Sequence, residues 1–281
     1  MIDIKFYQQF SNLRKELDAG KPFDRTYLET QLESFRSPDP IVYNIETTNA
    51  CNMECQMCPR TTLMTRKIET LNQDTFIHII DQLAPHSEQN WTQWKTFVKT
   101  EYGITENDMS ENHFFLYIIP KVIQLHGYGD PLLDVHMDAY IKLLKERHFY
   151  SYFSCNPANI NLNRTFKMMD NGLDYIKYSI ESVDDDIHKK IRGNASNFKS
   201  SYEKILQVLD YKHAHQLTTT IVITMLNLNR THQIKDYQLL CDAFKDLDVY
   251  IYLKSEDQQW YRKEYHPTHS FIGLKYASIL G

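Results

Sequence analysis

Strand-like and helix-like stretches alternate along most of this chain, and this alternation limits the possible folds more than any other feature. Six short runs rich in β-branched and aromatic residues are predicted strands: Ile41–Thr47, Val122–His126, Tyr150–Ser154, Tyr175–Ile180, Thr219–Met225 and Val249–Leu253. Segments with helical spacing of apolar residues follow them: Leu71–Leu83, His136–Arg147, Leu162–Asn171, Tyr202–His215, Gln233–Phe244 and Ser270–Leu280. Repeated strand–helix units favour parallel strands joined by right-handed crossovers. The sequence therefore predicts an α/β fold, a partial (β/α)6 TIM-like barrel with a parallel sheet and outer helices.

Two segments lie outside this alternation. Residues 1–40 form a predicted helical N-terminal extension with a helix over Phe6–Asp18, and the prolines at 38 and 40 separate it from the barrel of residues 41–281. A helical or irregular insert, at about 85–120, precedes the second strand and is rich in aromatic residues. It is either a helical decoration that packs its own aromatic side chains or a lid over the site. A helix-to-strand connection lies on the N-terminal face of a barrel, which is opposite the usual active face.

Charge and composition exclude several classes of function. The 281-residue chain has a formal net charge of -5, which disfavours nucleic acid as a partner. No apolar run approaches the ~20 residues that a membrane-spanning helix needs, and the first ten residues do not resemble a secretory signal. We therefore expect a cytoplasmic protein with no membrane partner.

The cysteines are few and clustered. Three of the five, Cys51, Cys55 and Cys58, follow the first predicted strand with the spacing C-x3-C-x2-C. Three thiolates can bind three irons of a [4Fe-4S] cluster and leave the fourth iron without a protein ligand. A structural zinc site, the alternative, would need a fourth ligand, and the nearest histidine is His78 in a predicted helix. The spacing thus predicts a metal centre with an open coordination site.

Two further motifs follow later strands. Gly127, Tyr128, Gly129 and Asp130 come after the second strand, where the glycines let the backbone approach a ligand closely. Ser179 and Glu181 lie at the end of the fourth strand, and Arg192 comes eleven residues after Glu181. A guanidinium of this kind can bind a carboxylate through two parallel hydrogen bonds.

Together these motifs resemble the radical S-adenosylmethionine (radical SAM) superfamily, in particular the barrel part of its SPASM and twitch-like members. The resemblance spans most of residues 41–256 and implies that Cys51, Cys55 and Cys58 bind a [4Fe-4S] cluster. It implies that the 127–130 loop binds the amino group of SAM, although Asp130 stands where the family usually has Glu. Met57 likewise replaces the aromatic residue that usually precedes the third cysteine. No cysteine follows Cys241, so this sequence is not expected to hold a second cluster of the SPASM or twitch type by itself.

The resemblance also assigns roles to other strand ends. It implies that Ser179 and Glu181 face the ribose or carboxylate of SAM, and that Arg192 pairs with the carboxylate. It places Asn156 beside SAM or the substrate, and the strand end at Met225 beside the adenine. Lys254 and Glu256 are expected to face the substrate, and Cys155 is either a small buried residue or a thiol on the substrate side.

The function that this resemblance implies is that of an oxidoreductase-like enzyme. Reductive cleavage of SAM produces a 5′-deoxyadenosyl radical, which abstracts hydrogen from a small-molecule or peptide substrate and leads to oxidation, epimerisation or rearrangement. The electron would come from a flavodoxin-like or ferredoxin-like donor. Two alternatives stay open: a non-catalytic metal-binding or scaffold protein that retains the barrel, and a nucleic-acid-modifying member of the same superfamily.

Overall fold

One open parallel sheet forms the centre of the protein. The computed structural model describes residues 2–108 and 110–255. The strands in this part of the chain are β1 (Val122–Gln124), β2 (Tyr150–Cys155), β3 (Tyr175–Ser179), β4 (Thr220–Leu226) and β5 (Tyr250–Lys254). All neighbours are parallel, in the order β1-β2-β3-β4-β5, and no pairing joins β1 to β5. The α/β partial barrel is confirmed.

The first predicted strand, Ile41–Thr47, is wrong as a regular strand. The segment touches the sheet through one parallel bridge between Asn44 and Gln124, and the Ile45 amide donates to the Gln124 carbonyl at 2.8 Å. Beyond Ile45 the backbone turns to a different partner, because the Leu71 amide donates to the Thr47 carbonyl at 2.7 Å. Since β1 has only three residues, it offers too few partners for a longer ladder. Within residues 2–108 and 110–255, five strands therefore replace the six that were expected.

Helices precede and cover the sheet. In chain order they are α1 (Ile4–Asp18), α2 (Arg25–Phe35), α3 (Pro59–Leu63), α4 (Gln73–Ile80), α5 (Glu88–Tyr102), α6 (Glu111–His113), α7 (Met137–Glu146), α8 (Leu162–Asp170), α9 (Asp185–Arg192), α10 (Phe198–Ala214) and α11 (Gln233–Ala243). Short polar side chains cap many of their N-termini; for example, Asp3, Asn72 and Asp184 accept backbone N–H groups of the first turn. The helix expected at Ser270–Leu280 and the residue Glu256 lie outside the described residues. No described helix is long and apolar enough to cross a membrane.

The insert at about 85–120 packs in two places. Helix α5 lies against α1, where Trp94 and Val98 form a small core with Ile4 and Tyr7. After α6 the chain continues as a π-helix over Phe114–Ile118 and runs directly into β1. Residues of this second part pack against the sheet itself, below the ends of the strands that carry the predicted motifs.

The two faces of the sheet differ in character. The outer face packs apolar side chains such as Ile123, Phe153 and Ile221 against the helices in the main core. On the inner, concave face the aromatic side chains of Tyr152, Tyr250 and Tyr252 contact Phe114 of the insert, which fills the lower part of the partial barrel. Strand alternation places polar residues above this aromatic floor.

Candidate active site

A cavity of about 370 Å³ lies above the floor, where the carboxyl ends of the strands meet. All but one of the residues predicted for the site line it: Cys51, Cys55, Cys58, Gly127, Tyr128, Gly129, Asp130, Asn156, Ser179, Glu181 and Arg192. The residues come from five separate segments of the chain. In open α/β sheets ligands bind at this edge, in a crevice outside the carboxyl ends of the strands.

The cysteine loop is held by the C-terminal end of α9. The Glu54 amide donates to the Arg192 carbonyl at 3.1 Å, and the Gln56 amide donates to the Ile191 carbonyl at 2.9 Å. The last carbonyls of a helix have no partner within the helix, so the loop satisfies two groups that would otherwise need water. Gly193 follows with a φ of 96°, and a Cβ there would lie 2.9 Å from the Glu54 nitrogen. This glycine permits the close approach of loop and helix.

Gly129 makes a second close approach. A Cβ at this position would lie 2.7 Å from the Thr48 carbonyl carbon and 2.8 Å from the Ala50 oxygen. The next amide, of Asp130, donates to the Ala50 carbonyl at 2.8 Å. The 127–130 loop is therefore locked against the segment that leads into Cys51. Only a residue without a side chain fits this packing.

Asp130 has a structural set of contacts rather than a free carboxylate. Its two oxygens accept hydrogen bonds from the Leu132 amide at 3.0 Å, from the Asn156 amide at 2.9 Å and from Asn159 Nδ2 at 2.9 Å. Burial raises the pKa of this carboxyl, and these three hydrogen bonds oppose that shift. Asp130 thus joins the loop after β1 to the loop after β2, and it lines the cavity as a positioning residue.

Asn156 belongs to a buried network. Its Nδ2 donates to Ser196 Oγ at 3.0 Å, and Ser196 Oγ lies 2.7 Å from His188 Nε2. His188 Nδ1 in turn accepts the Glu181 amide at 3.2 Å. The ring of His188 is fully buried, and burial followed by the charge of Arg192 lowers its pKa to about 4. The network connects the ends of β2 and β3 through neutral groups.

Glu181 and Arg192 form a buried ion pair. Arg192 Nη2 donates to Glu181 Oε1, and the other carboxylate oxygen accepts the Leu226 amide at 3.0 Å. Arg192 Nη1 lies 3.7 Å from Cys55 Sγ, which connects the pair to the cysteine loop. Burial alone would lower the pKa of Arg192, but Glu181 and Cys55 raise it above the usual value. The Nε of Arg192 is buried and has no partner among the described residues.

The three cysteines share the cavity without meeting at one point. Among the described residues, no three His, Cys, Asp or Glu side chains converge closely enough to hold a single metal ion. Cluster ligation differs from this, because each thiolate binds a different iron. Burial is the largest cause that raises the pKa of Cys51 and of Cys55, and the Arg192 guanidinium opposes it at Cys55.

Met225 is the exception among the predicted residues. Its side chain is fully buried on the outer face of β4, where its sulfur lies 2.9 Å from Gln233 Nε2. The neighbours Thr224 and Leu226 line the cavity instead. Because side chains alternate along a strand, the Met225 side chain points away from the cavity, and the contact of its backbone with the adenine stays a prediction.

Several cavity residues were not predicted as site residues. His126 and Lys177 line the cavity, and Lys254, expected to face the substrate, does so as well. Cys155 also lines it, and burial raises the pKa of its thiol well above the usual value. Glu46 supports the site from outside: its Oε1 accepts the Tyr128 amide at 2.6 Å, and its Oε2 lies 2.6 Å from Arg66 Nη1. Only the polar residue at Lys177, within an otherwise apolar strand, gave a signal that sequence reasoning could have used.

Known structures share this fold at low sequence identity. The chain is similar to SuiB from Streptococcus suis, with a TM-score of 0.54 and 10% identity over 98% of this chain and 56% of SuiB. SuiB bound to S-adenosylmethionine matches with a TM-score of 0.50 and 10% identity over 99% of this chain and 58% of that one. SuiB bound to its precursor peptide SuiA matches with a TM-score of 0.50 and 12% identity over 96% and 58%. This chain therefore spans less than two thirds of the length of these SuiB chains. No curated protein matches it in sequence.

A family model adds evidence from the sequence itself. Residues 112–240 match the model described as the radical SAM superfamily. The matched residues begin just before β1 and include the 127–130 loop, Glu181 and Arg192, whereas the cysteine loop precedes them. The family match over residues 112–240 and the shared partial-barrel fold agree with each other, and this part of the chain is similar to the radical SAM superfamily.

Proposed function

We propose that this chain is an enzyme that cleaves S-adenosylmethionine reductively and uses the resulting radical to abstract hydrogen from a bound substrate. The observation that supports the proposal most is the convergence of three separate motifs on one cavity. The cysteine loop, the 127–130 loop and the Glu181–Arg192 pair come from distant parts of the chain and line the same 370 Å³ space. Members of the radical SAM family are enzymes, and one SuiB structure contains S-adenosylmethionine.

The residues present fit a [4Fe-4S] cluster with one open iron. Three thiols line the cavity, and the remaining two cysteines do not extend the set. Cys241 lies on α11 outside the cavity, while Cys155 lies at the end of β2, apart from the cysteine loop, with its Sγ 3.7 Å from the Lys177 carbonyl. Arg192 lines the cavity, and its buried Nε has no hydrogen-bond partner among the described residues, so an acceptor atom of a bound ligand could satisfy this donor.

In this proposal Cys51, Cys55 and Cys58 hold the cluster. When bound, the cluster supplies the electron that cleaves S-adenosylmethionine into methionine and a 5′-deoxyadenosyl radical. The carbonyls of the 127–130 loop accept hydrogen bonds from the amino group of S-adenosylmethionine, and Arg192 attracts its carboxylate. Asp130 and Asn156 act as positioning residues, since their hydrogen bonds hold the loops after β1 and β2 together.

Glu181 and Ser179 complete the proposed cofactor side of the cavity. Glu181 holds Arg192 in place and keeps one oxygen on the Leu226 amide, so its role toward the ribose is indirect. Ser179 lies at the end of β3 beside Thr224, with which it pairs in register, and its hydroxyl is available for the ribose or the carboxylate. The backbone of residues 224–226, rather than the side chain of Met225, would contact the adenine.

The substrate is proposed to be a small molecule or a peptide. A peptide is supported by the structure of SuiB bound to its precursor peptide, whose fold this chain shares. Oxidation, epimerisation and rearrangement are the outcomes considered, with an electron donor of the flavodoxin or ferredoxin type. A site in a cavity rather than on a flat surface favours each of them, because exclusion of water and of other side chains limits quenching of a radical.

The first test is formation of 5′-deoxyadenosine by the full chain after anaerobic reconstitution with iron and sulfide. S-adenosylmethionine and a strong reductant are added, and the product is quantified together with iron per chain. We expect product from the unaltered chain and a loss of at least about 100-fold in each of Cys51→Ala, Cys55→Ala and Cys58→Ala. Cys241→Ala is the matched control and should retain activity. A well-formed cluster without any product would favour the non-catalytic scaffold function.

A further inference from the structure

Two lysines on the inner face of the sheet form a group that the proposed cleavage reaction does not use. Lys177 lies in the middle of β3, two residues before Ser179 and therefore on the same face and deeper in the barrel. Lys254 is the last residue of β5. Both side chains line the cavity that contains the cysteine loop. We call these two residues the lysine pair.

The lysine pair has no anionic partner among the described residues. Lys177 is only 8% exposed, yet no hydrogen bond or ion pair of its ammonium group occurs in the described part of the chain. Its Nζ lies 5.1 Å from the centre of the Phe114 ring and 5.7 Å from that of Tyr152. These are cation–π distances, which stabilise a cation much less than a carboxylate does. The aromatic floor thus positions Lys177 without neutralising it.

The carboxylates that face the cavity already have other partners. Glu181 is paired with Arg192 and with the Leu226 amide. Asp130 accepts three hydrogen bonds from the loops around it. The charge of Glu111, in the insert, raises the pKa of Lys177, but this carboxylate forms no ion pair with any described residue. Its two oxygens share the Ser255 amide hydrogen, and Oε2 also accepts the Ser255 hydroxyl. The described cavity therefore has positive charge without matching negative charge.

The titration behaviour of the neighbouring groups agrees with this charge distribution. Burial, followed by repulsion from Lys254, lowers the pKa of Lys177 to about 7. Burial and both lysines lower the pKa of His126 to about 3. Burial of a charge is unfavourable unless the charge is paired. Binding of an anion would therefore reduce the free-energy cost of burying the Lys177 ammonium group.

We propose that the lysine pair binds an anionic group of the substrate, a carboxylate or a phosphate, with Lys177 at the bottom of the cavity and Lys254 at its β5 side. The assignment rests on the proposed function in one respect, namely that this cavity receives the substrate. Arg192 lies beside Cys55 and is the cation assigned to S-adenosylmethionine, so the lysine pair is free for a second anion. A primary ammonium on a flexible stem suits both carboxylate and phosphate oxygens.

Anion binding to the full chain tests this inference without any radical chemistry. The thermal midpoint of the chain, carried through anaerobic reconstitution, is measured in inorganic phosphate, in acetate and in chloride at equal ionic strength. A ligand that binds the folded state raises the midpoint in proportion to its affinity and concentration. We expect phosphate or acetate to stabilise the chain beyond chloride, and the anion that does so indicates whether the substrate is a phosphoester or a carboxylate.

Three variants make the test specific. Lys177→Met and Lys254→Met remove one charge each while keeping an unbranched apolar stem, and each should weaken the apparent affinity for the anion by at least about tenfold. Lys254 is partly exposed at a strand end, so Lys254→Met remains informative even if Lys177→Met folds poorly. Lys121→Met is the matched control, because Lys121 also stacks on an aromatic ring, Tyr150 at 3.8 Å, but is not among the residues that line the cavity.

Each outcome decides between the two proposals. Equal midpoints in all three salts, or an anion effect that persists in both cavity variants, would overturn the assignment of the lysine pair. A specific anion effect in a chain that forms no 5′-deoxyadenosine would support the lysine pair and contradict the proposed function. Formation of 5′-deoxyadenosine without any anion effect would support the proposed function and contradict the assignment of the lysine pair.

Discussion

Replacement of Gly129 by alanine should damage the site more than the same substitution at the other glycines that the structure describes. The new Cβ would lie 2.7 Å from the Thr48 carbonyl carbon and 2.8 Å from the Ala50 oxygen. Non-bonded heavy atoms prefer about 3.5–4.0 Å, so the 48–50 segment would have to retreat by roughly 1 Å. These neighbours are backbone atoms and cannot rotate away. The movement would therefore shift the segment that carries Cys51.

The expected cost follows from two losses. Overpacking of this kind costs about 1–3 kcal/mol. The retreat also breaks the hydrogen bond from the Asp130 amide to the Ala50 carbonyl, and an unsatisfied buried amide costs about 1–3 kcal/mol. We expect Gly129→Ala to lower the free energy of unfolding by about 3 kcal/mol and to reduce iron bound per chain. Urea unfolding and iron quantification after reconstitution measure both effects.

Two other glycines provide the comparison. At Gly127 a Cβ would meet only the Glu46 side chain, with Cγ at 2.7 Å, and that side chain can move at the expense of its contact with the Tyr128 amide. At Gly20, where φ is 79°, nothing lies within 4 Å, so alanine adds only backbone strain of about 1–2 kcal/mol. Iron content should fall for Gly129→Ala, fall less for Gly127→Ala and stay unchanged for Gly20→Ala. If Gly129→Ala bound iron and resisted urea as well as Gly20→Ala does, the close packing of the two loops would be refuted.

Three further predictions concern the groups around the site. Glu181→Gln leaves the buried Arg192 unpaired and should lower the free energy of unfolding by about 3 kcal/mol in urea; a loss below about 1 kcal/mol would contradict the ion pair. The pKa of His188 is about 4 in the folded state and 6.5 in the unfolded chain, so the unfolded state binds more protons between these values. The free energy of unfolding therefore decreases as the pH is lowered through that window. Lowering the pH from 7 to 5 should cost about 2 kcal/mol through this residue, and His188→Gln should show a smaller pH dependence; identical pH profiles would refute the assignment. Trp94→Ala should cost about 3–5 kcal/mol in urea, because the ring is fully buried and its Nε1 donates to the Leu116 carbonyl at 2.6 Å; a cost near zero would mean that the insert does not pack stably on α1.

The features predicted best from the sequence are those that depend on local patterns. The five described strands lie within one or two residues of their predicted positions, because each is a short apolar run between clear helix signals. The cysteine loop and the 127–130 loop could be recognised because their spacing is a property of a few adjacent residues. Their convergence on one cavity follows from parallel strands, whose carboxyl ends meet at the same edge.

The features that could not be predicted from the sequence depend on tertiary partners. Residues Ile221, Val222 and Ile223 are buried on both faces of β4, so the sequence shows no alternation that could place Met225 on the outer face. Segment Ile41–Thr47 has the composition of a strand, but its neighbour β1 is too short to pair with it fully. Glu181 also pairs with Arg192 at the end of α9, a contact that the ten intervening residues conceal in the sequence.

The aromatic insert separates the space at the bottom of the barrel from the loops at the top that carry the cysteines and glycines. Its last turn supplies Phe114, which lies beneath Lys177 and closes the barrel from below, while the loops that carry the cysteines and glycines emerge from the opposite ends of the strands. A smaller side chain at Phe114 would therefore open space beneath Lys177 without changing the loops above. Changes in the insert alone can thus adapt such a barrel to substrates of different length, while the cysteine and glycine loops at the strand ends stay the same.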